Sequence, residues 1–217
     1  ASDPAACMRA LDAGAVTEVM PEPASISSGG QGNYEPDVDG VALTAPTDQV
    51  LASGQFHHVP FVVGSNSDET ALELAKAYPS GMTEAQYQAA VLAYAKNDQA
   101  LATQIVAEYP IANYPSPLEA FIQVTTDAKF TDGARYAARM AAKGQPDQPV
   151  WRYFYAHHLD DAPAATRALG AWHGIELAFI FRDLGVSGYT PSAGETTLAD
   201  ALDGAWTSMA AGCAPDV

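Results

Sequence analysis

Basic residues are scarce in this chain: 10 Lys+Arg stand against 26 Asp+Glu over 217 residues, for a formal net charge of −16. Nucleic acid and anionic membrane surfaces are held by clustered Lys and Arg, so this balance argues against both as partners. The excess acid is read as a solubilising surface, in preference to one that draws in cationic substrates. Cysteine is nearly absent. Cys7 and Cys213 lie near opposite ends and match no metal-ligand spacing. They pair with each other, stay free or bond elsewhere, and spacing alone leaves all three open. No apolar run approaches the roughly 20 residues of a membrane-spanning helix. A charged segment followed by an apolar one is missing from the start, so no signal peptide is visible. The first residue is Ala1 rather than Met, which points to a processed, cleaved or truncated product. The Gly/Ser-rich stretch within Pro21–Asn33 lacks the Lys-Ser/Thr ending of a phosphate cradle and is read as a loop.

What is present suits a globular chain. The hydrophobic share of 48% is too high for intrinsic disorder. Asp3 with Pro4 predicts the start of a short helix carrying Cys7, Met8 and Leu11 on one face. Residues 34–40 carry turn chemistry, and Pro46 to Ser53 fits a short helix. Val59 to Gly64 is a continuous apolar run ended by glycine, the pattern of a strand buried on both faces. Helical spacing runs from Glu69 to Lys76, from Thr83 to Glu108 with a Thr83/Gln86 capping box, from Phe121 to Ala142, and from Leu198 to Met209. Pro149 to Tyr155, rich in aromatic and β-branched residues, predicts a second buried strand. Few strands separated by long helices indicate part of an α/β sheet protein, and two strands alone make no stable sheet. The expected fold class is α/β with the sheet incomplete within this chain.

Chemistry concentrates in two segments. In Gly170-Ala171-Trp172-His173-Gly174 a histidine sits between glycines ahead of an apolar run. Such a setting presents at a loop tip the side chain best suited to carry protons near neutral pH. In Gly64-Ser65-Asn66-Ser67-Asp68-Glu69 a carboxylate follows the first predicted strand, where α/β sheets gather their functional groups. Each residue also has a plainer role open to it. A histidine between glycines serves turns, and Glu69 suits the N-terminus of a helix. The pairs His57-His58 and His157-His158 are adjacent residues, which on a strand point to opposite faces and cannot chelate one ion together; no metal site is expected. Asp127 is expected to anchor local hydrogen bonds.

Ordered along the chain, these segments resemble the type-B carboxylesterase and cholinesterase family. VDGVALTAPTDQVLASGQFHHVPFVVGSNSDET, from Val38 to Thr70, is similar to the family's P-x-x-D-G segment, buried strand and acid-bearing G-x-N-x-D-E loop. TDAKFTDGARYAARMA resembles its Asp-x-x-Phe helix, VWRYFYAHH its following strand, GAWHGIELAFIF its histidine loop, and WTSMAAGCAPDV its C-terminal helix and turn. The resemblance implies an α/β-hydrolase fold and hydrolysis of carboxylic esters without metal or organic cofactor. It makes Glu69 the acid and His173 the base of a Ser–Glu–His triad, in the chain order such enzymes use. It ranks Asp68 as the rival acid and gives Glu176 a buried supporting role. Trp172 becomes a candidate wall of the acyl or alcohol pocket.

The family's serine precedes both partners, at a G-x-S-x-G elbow. Ser65, Ser67, Ser187 and Ser192 all lack the flanking glycines, and no HGGG-like oxyanion segment is present. The expectation is therefore that residues 1–217 form the C-terminal part of a single α/β-hydrolase domain. The partner would be the N-terminal half carrying the nucleophile, and the substrate a small carboxylic ester. The enzyme would be secreted or periplasmic, and this chain alone inactive. The resemblance implies that Val217 stops short of the family's last segment. The resemblance also pairs Cys7 with a cysteine upstream of Ala1. The alternative is a catalytically inactive cholinesterase-like protein used for binding or adhesion, against which an intact Glu69 and His173 weigh.

Overall fold

A computed structural model of the chain describes residues 3–20, 36–185, 188–212 and 214–215. The Pro21–Asn33 loop, Ser187 and Cys213 fall outside the described residues. The chain begins with two short helices, α1 (Pro4–Arg9) and α2 (Ala13–Val19). Asp3 caps α1 by accepting from the Ala6 N–H, with Pro4 at the first helical position as expected. Neither helix buries a residue. The turn residues Asp39 and Gly40 follow, the Asp39 carboxylate accepting from the N–H groups of Val41, Ala42 and Leu43. Then comes α3 (Thr47–Ser53).

Among the described residues the sheet has two parallel strands, β1 (Phe61–Asn66) and β2 (Val150–Tyr155), paired from Phe61↔Val150 to Asn66↔Tyr155. β1 starts two residues later than its apolar run suggested and passes through Gly64 without stopping. Gly64 lies opposite Tyr153, and a Cβ there would come within 2.3 Å of that ring. The glycine is thus a site of close approach inside the strand, not its terminator. The strands are also less enclosed than expected. Most of their residues are half-buried, and Phe154 is 48% exposed beneath the Arg152 guanidinium.

Between the strands lie α4 (Ala71–Ala77), α5 (Glu84–Tyr94), α6 (Gln99–Glu108), a 3₁₀ turn at Ile111–Asn113, α7 (Pro117–Thr126) and α8 (Asp132–Gly144). The Thr83/Gln86 capping box is formed. The helix expected from Thr83 to Glu108 is two helices. Lys96 and Asn97 adopt positive φ, and Asp98 starts α6 by accepting from Ala100 and Leu101. The stretch from α7 to α8 is continuous but contains a π-helical turn at Asp127–Thr131. After β2 come α9 (Ala164–Arg167), α10 (Ile175–Ile180) and α11 (Ala193–Gly212).

Two apolar clusters result. One gathers α4, α5, α6 and α7 around Leu74, Tyr87, Val91 and Phe121. The other joins Tyr155, Leu159, Ala171, Phe179 and Ala199, from β2, α10, α11 and the loops between them. Trp172 packs against both, which fixes the histidine loop at the seam between them. No helix of the described residues is long and apolar enough to cross a membrane.

Candidate active site

The carboxyl ends of two neighbouring parallel strands place the site. β1 ends at Asn66 and turns through residues 67–70 into α4, while the ladder is carried one step further by Ser67 N–H donating to Tyr155 O at 2.9 Å. The histidine loop crosses above this turn and is tied to it in both directions: Asp68 N–H donates to Ala171 O at 3.2 Å, and Ala171 N–H to Asp68 Oδ2 at 3.0 Å. The approach is so close that a Cβ on Gly170, whose φ is +63°, would lie 2.4 Å from Asp68 Oδ2. Asp68 also accepts from Ser67 Oγ and lies 3.5 Å from His158 Nε2. Its carboxylate is committed to closing one loop on the other.

Glu69 faces the other way. Its carboxylate is buried, with Oε1 accepting from the Asn66 N–H at 2.7 Å and Oε2 lying 2.7 Å from His173 Nδ1. A carboxylate only accepts, so Nδ1 is the donor and Nε2 is the nitrogen left with a lone pair. The side chains differ sharply in exposure, at 6% for Glu69 and 66% for His173. Nε2 has no hydrogen-bond partner among the described residues. The arrangement holds an imidazole by one nitrogen and presents the other, as a general base requires. The Phe130 ring, carried by the π turn, packs against the imidazole with centroids 5.3 Å apart and planes inclined by 53°. π turns recur at functional sites because they shift side chains out of helical register.

Around the pair, Glu176 on α10 is half-buried and accepts from the Asn66 side-chain amide, which also donates to Trp172 O at 2.9 Å. Trp172 lines a cavity of about 920 Å³ together with Leu159, Ala162, Ile175, Leu184 and Asp161. Burial pushes the Tyr155 hydroxyl up, with the Glu176 and Glu195 charges adding to it. Among the described residues that hydroxyl has no hydrogen-bond partner, and neither have Asn66 Oδ1 and Thr126 Oγ1.

The remaining candidates lie apart from the pair. Asp127 takes the Tyr109 hydroxyl at 3.0 Å, the local tie expected of it. Burial comes first in pushing that hydroxyl up, followed by its donation to Asp127. Neither histidine pair is on a strand: His57 is exposed, His58 binds Asp147 at 2.9 Å, and His157 and His158 turn to Glu195 and Asp68 respectively. His157, Asp160 and Glu195 bring metal-ligand atoms within 4.8 Å of one another. Glu195 is nevertheless already served by His157, the Asp160 and Ser192 N–H groups, and the Tyr189 hydroxyl. Burial pushes its carboxyl up, and those donors outweigh burial, holding it below its ordinary value. It ties the 157–160 and 189–192 segments to α11. Cys7 is exposed on α1, with no disulfide partner among the described residues. Asn66, Phe130 and Tyr155 were not singled out from sequence. Asn66 carried a signal in the acid loop, and Phe130 one as the phenylalanine of the Asp-x-x-Phe helix.

Residues 1–216 match the carboxylesterase family. The chain belongs to that family. Among the relatives of this carboxylesterase-family chain is the fumonisin B1 esterase of Sphingopyxis macrogoltabida, 27% identical over 222 aligned positions that take in 96% of this chain and 38% of that protein. Secreted lipase 1 of Botryotinia fuckeliana is 25% identical over 166 residues, 70% of this chain and 28% of the lipase. The para-nitrobenzyl esterase of Bacillus subtilis is 27% identical over 151 residues, 70% of this chain and 28% of that esterase. The chain therefore spans between 28% and 38% of the length of these relatives.

Proposed function

We propose that this carboxylesterase-family chain supplies the base His173 and the orienting acid Glu69 to serine-dependent hydrolysis of carboxylic esters. The observation that carries the reading is the 2.7 Å contact from His173 Nδ1 to a buried carboxylate whose second oxygen is held by the Asn66 N–H. A serine hydroxyl is a poor nucleophile until an imidazole takes its proton. Here Nε2 takes that proton as Oγ attacks the ester carbonyl, and Glu69 holds the ring in the required tautomer and stabilises the imidazolium that forms. Nε2 then returns the proton to the departing alcohol. A water molecule, deprotonated in turn by Nε2, releases the acid from the acyl-enzyme. Every proton in this scheme moves through His173, and it needs neither metal nor organic cofactor.

The nucleophilic serine comes from an N-terminal half of the same enzyme, the partner of this chain. Two observations support that partner: the chain spans only 28% to 38% of the relatives' lengths, and β1 and β2 each pair along one edge only among the described residues. This chain alone is inactive on that account. Secretion is supported by a relative named as a secreted lipase. Trp172 and the cavity beside it take the apolar part of the ester. The test supplies the serine-bearing segment and compares the parent with His173→Ala. The proposal expects turnover to fall by on the order of 10⁴-fold or more, and near-parent turnover would end it.

A further inference from the structure

We infer that Asn66 is a positioning residue that sets acid and base against each other, an inference that rests on the function proposed above. One residue reaches both partners. Its backbone N–H donates to Glu69 Oε1 at 2.7 Å, fixing the carboxylate from the side opposite His173. Its side-chain Nδ2 donates twice to the histidine loop, to Trp172 O at 2.9 Å and to a Glu176 carboxylate oxygen. Trp172 immediately precedes His173 and Glu176 lies one helical turn beyond it, so the amide clamps the loop on both flanks of the base.

The orientation of that amide is settled by its neighbours. Both groups facing Nδ2 only accept, and a flipped amide would set Oδ1 against two acceptors. The consequence is that Oδ1, on a residue 1% exposed, has no hydrogen-bond partner among the described residues. Buried acceptors are ordinarily paired. Both donors of this buried amide go to the histidine loop. Aspartate, of the same shape, has no donors for this task and would face the Glu176 carboxylate. Leucine would fill the space and hold nothing.

The test is made in the esterase assembled from this chain and its serine-bearing segment, with Asn66→Leu, Glu176→Ala, the double variant and His173→Ala. A positioning role predicts that Asn66→Leu loses on the order of 10²-fold in kcat with KM unchanged, the scale expected when a reacting group is displaced by about 1 Å. Glu176→Ala should lose kcat in the same KM-neutral way. The double variant should lose less than the product of the two single losses, because both act through one clamp. The downfield proton resonance of the His173 Nδ1–H···Glu69 hydrogen bond should weaken in each variant. Should Asn66→Leu not fold, Glu176→Ala carries the same kcat, KM and proton readouts. Parent-like kcat and an unchanged Nδ1 proton in the folded variants, with His173→Ala inactive, overturn the role of Asn66 and leave the proposed function standing. Turnover that survives His173→Ala overturns both.

Discussion

The helical cluster and the sheet seam are built to different standards. In the cluster of α4 to α7, Leu74, Tyr87 and Val91 are each 0% exposed. Several polar groups there find partners: the Tyr87 hydroxyl donates to Tyr109 O at 2.7 Å, and Thr70 and Thr125 share a 2.7 Å hydroxyl contact. Burial, with Tyr114 adding, pushes the Tyr87 hydroxyl up to about 12. At the seam the strands stay half-buried, Phe154 lies open, and two of the three buried side-chain atoms without partners among the described residues, Asn66 Oδ1 and Tyr155 OH, are found there; the third, Thr126 Oγ1, lies at the end of α7. Interiors are ordinarily close-packed and hydrogen-bonded, so the contrast separates a region that supplies stability from one that holds functional groups in place. The seam carries Glu69, His173 and the cavity beside Trp172.

Changes on either side of the contrast should differ in kind. The largest stability loss belongs to Leu74→Ala, which empties a fully buried site and should cost about 2–5 kcal/mol. A urea midpoint close to the parent's would show that the helical cluster does not dominate stability. Gly64→Ala comes next. Its methyl would lie 2.3 Å from the Tyr153 ring in the facing strand, and overpacking of this sort costs about 1–3 kcal/mol. Unlike Leu74→Ala, it should also disturb the turn that carries Glu69, seen as a change in the His173 ring resonances. Thr83→Ala removes the capping-box acceptor of α5 and should cost about 1 kcal/mol with no change at His173. The smallest effect is a slope in pH. Glu195 is held below its ordinary value of 4.5, so it binds a proton less readily folded than unfolded. Its contribution is full above 4.5 and is lost as pH falls through the folded value. Glu195→Gln should flatten that acid limb of the urea midpoint, and an unchanged limb would place the acid sensitivity elsewhere.

Much of this was legible in the sequence, and the parts that were not have physical reasons. Elements with explicit end signals were found near their true positions: Asp3 before Pro4, Thr83 with Gln86, and the β-rich run that became β2. Gly64 misled because a glycine demanded by the facing Tyr153 ring reads locally like a terminator. The break at Lys96 and Asn97 carries no Gly or Pro, so helical spacing ran through it. The π turn leaves no periodic signature at all. Burial of the strands was overstated because an apolar run does not reveal how much of the sheet covers it. In the candidate site, Glu69 and His173 stood out through residue type and family order. Asn66 did not, since its two side-chain hydrogen bonds reach residues 106 and 110 positions away in sequence.

The most direct measurement sets the two neighbouring carboxylates against each other, comparing kcat of Glu69→Gln and Asp68→Asn once the proposed serine-bearing segment is supplied. Glu69 contacts His173 Nδ1 at 2.7 Å, whereas Asp68 is spent on Ala171 N–H and Ser67 Oγ. The account predicts a loss on the order of 10⁴-fold for Glu69→Gln and a far smaller one for Asp68→Asn. The reverse order, or parent-like turnover in Glu69→Gln, would contradict it.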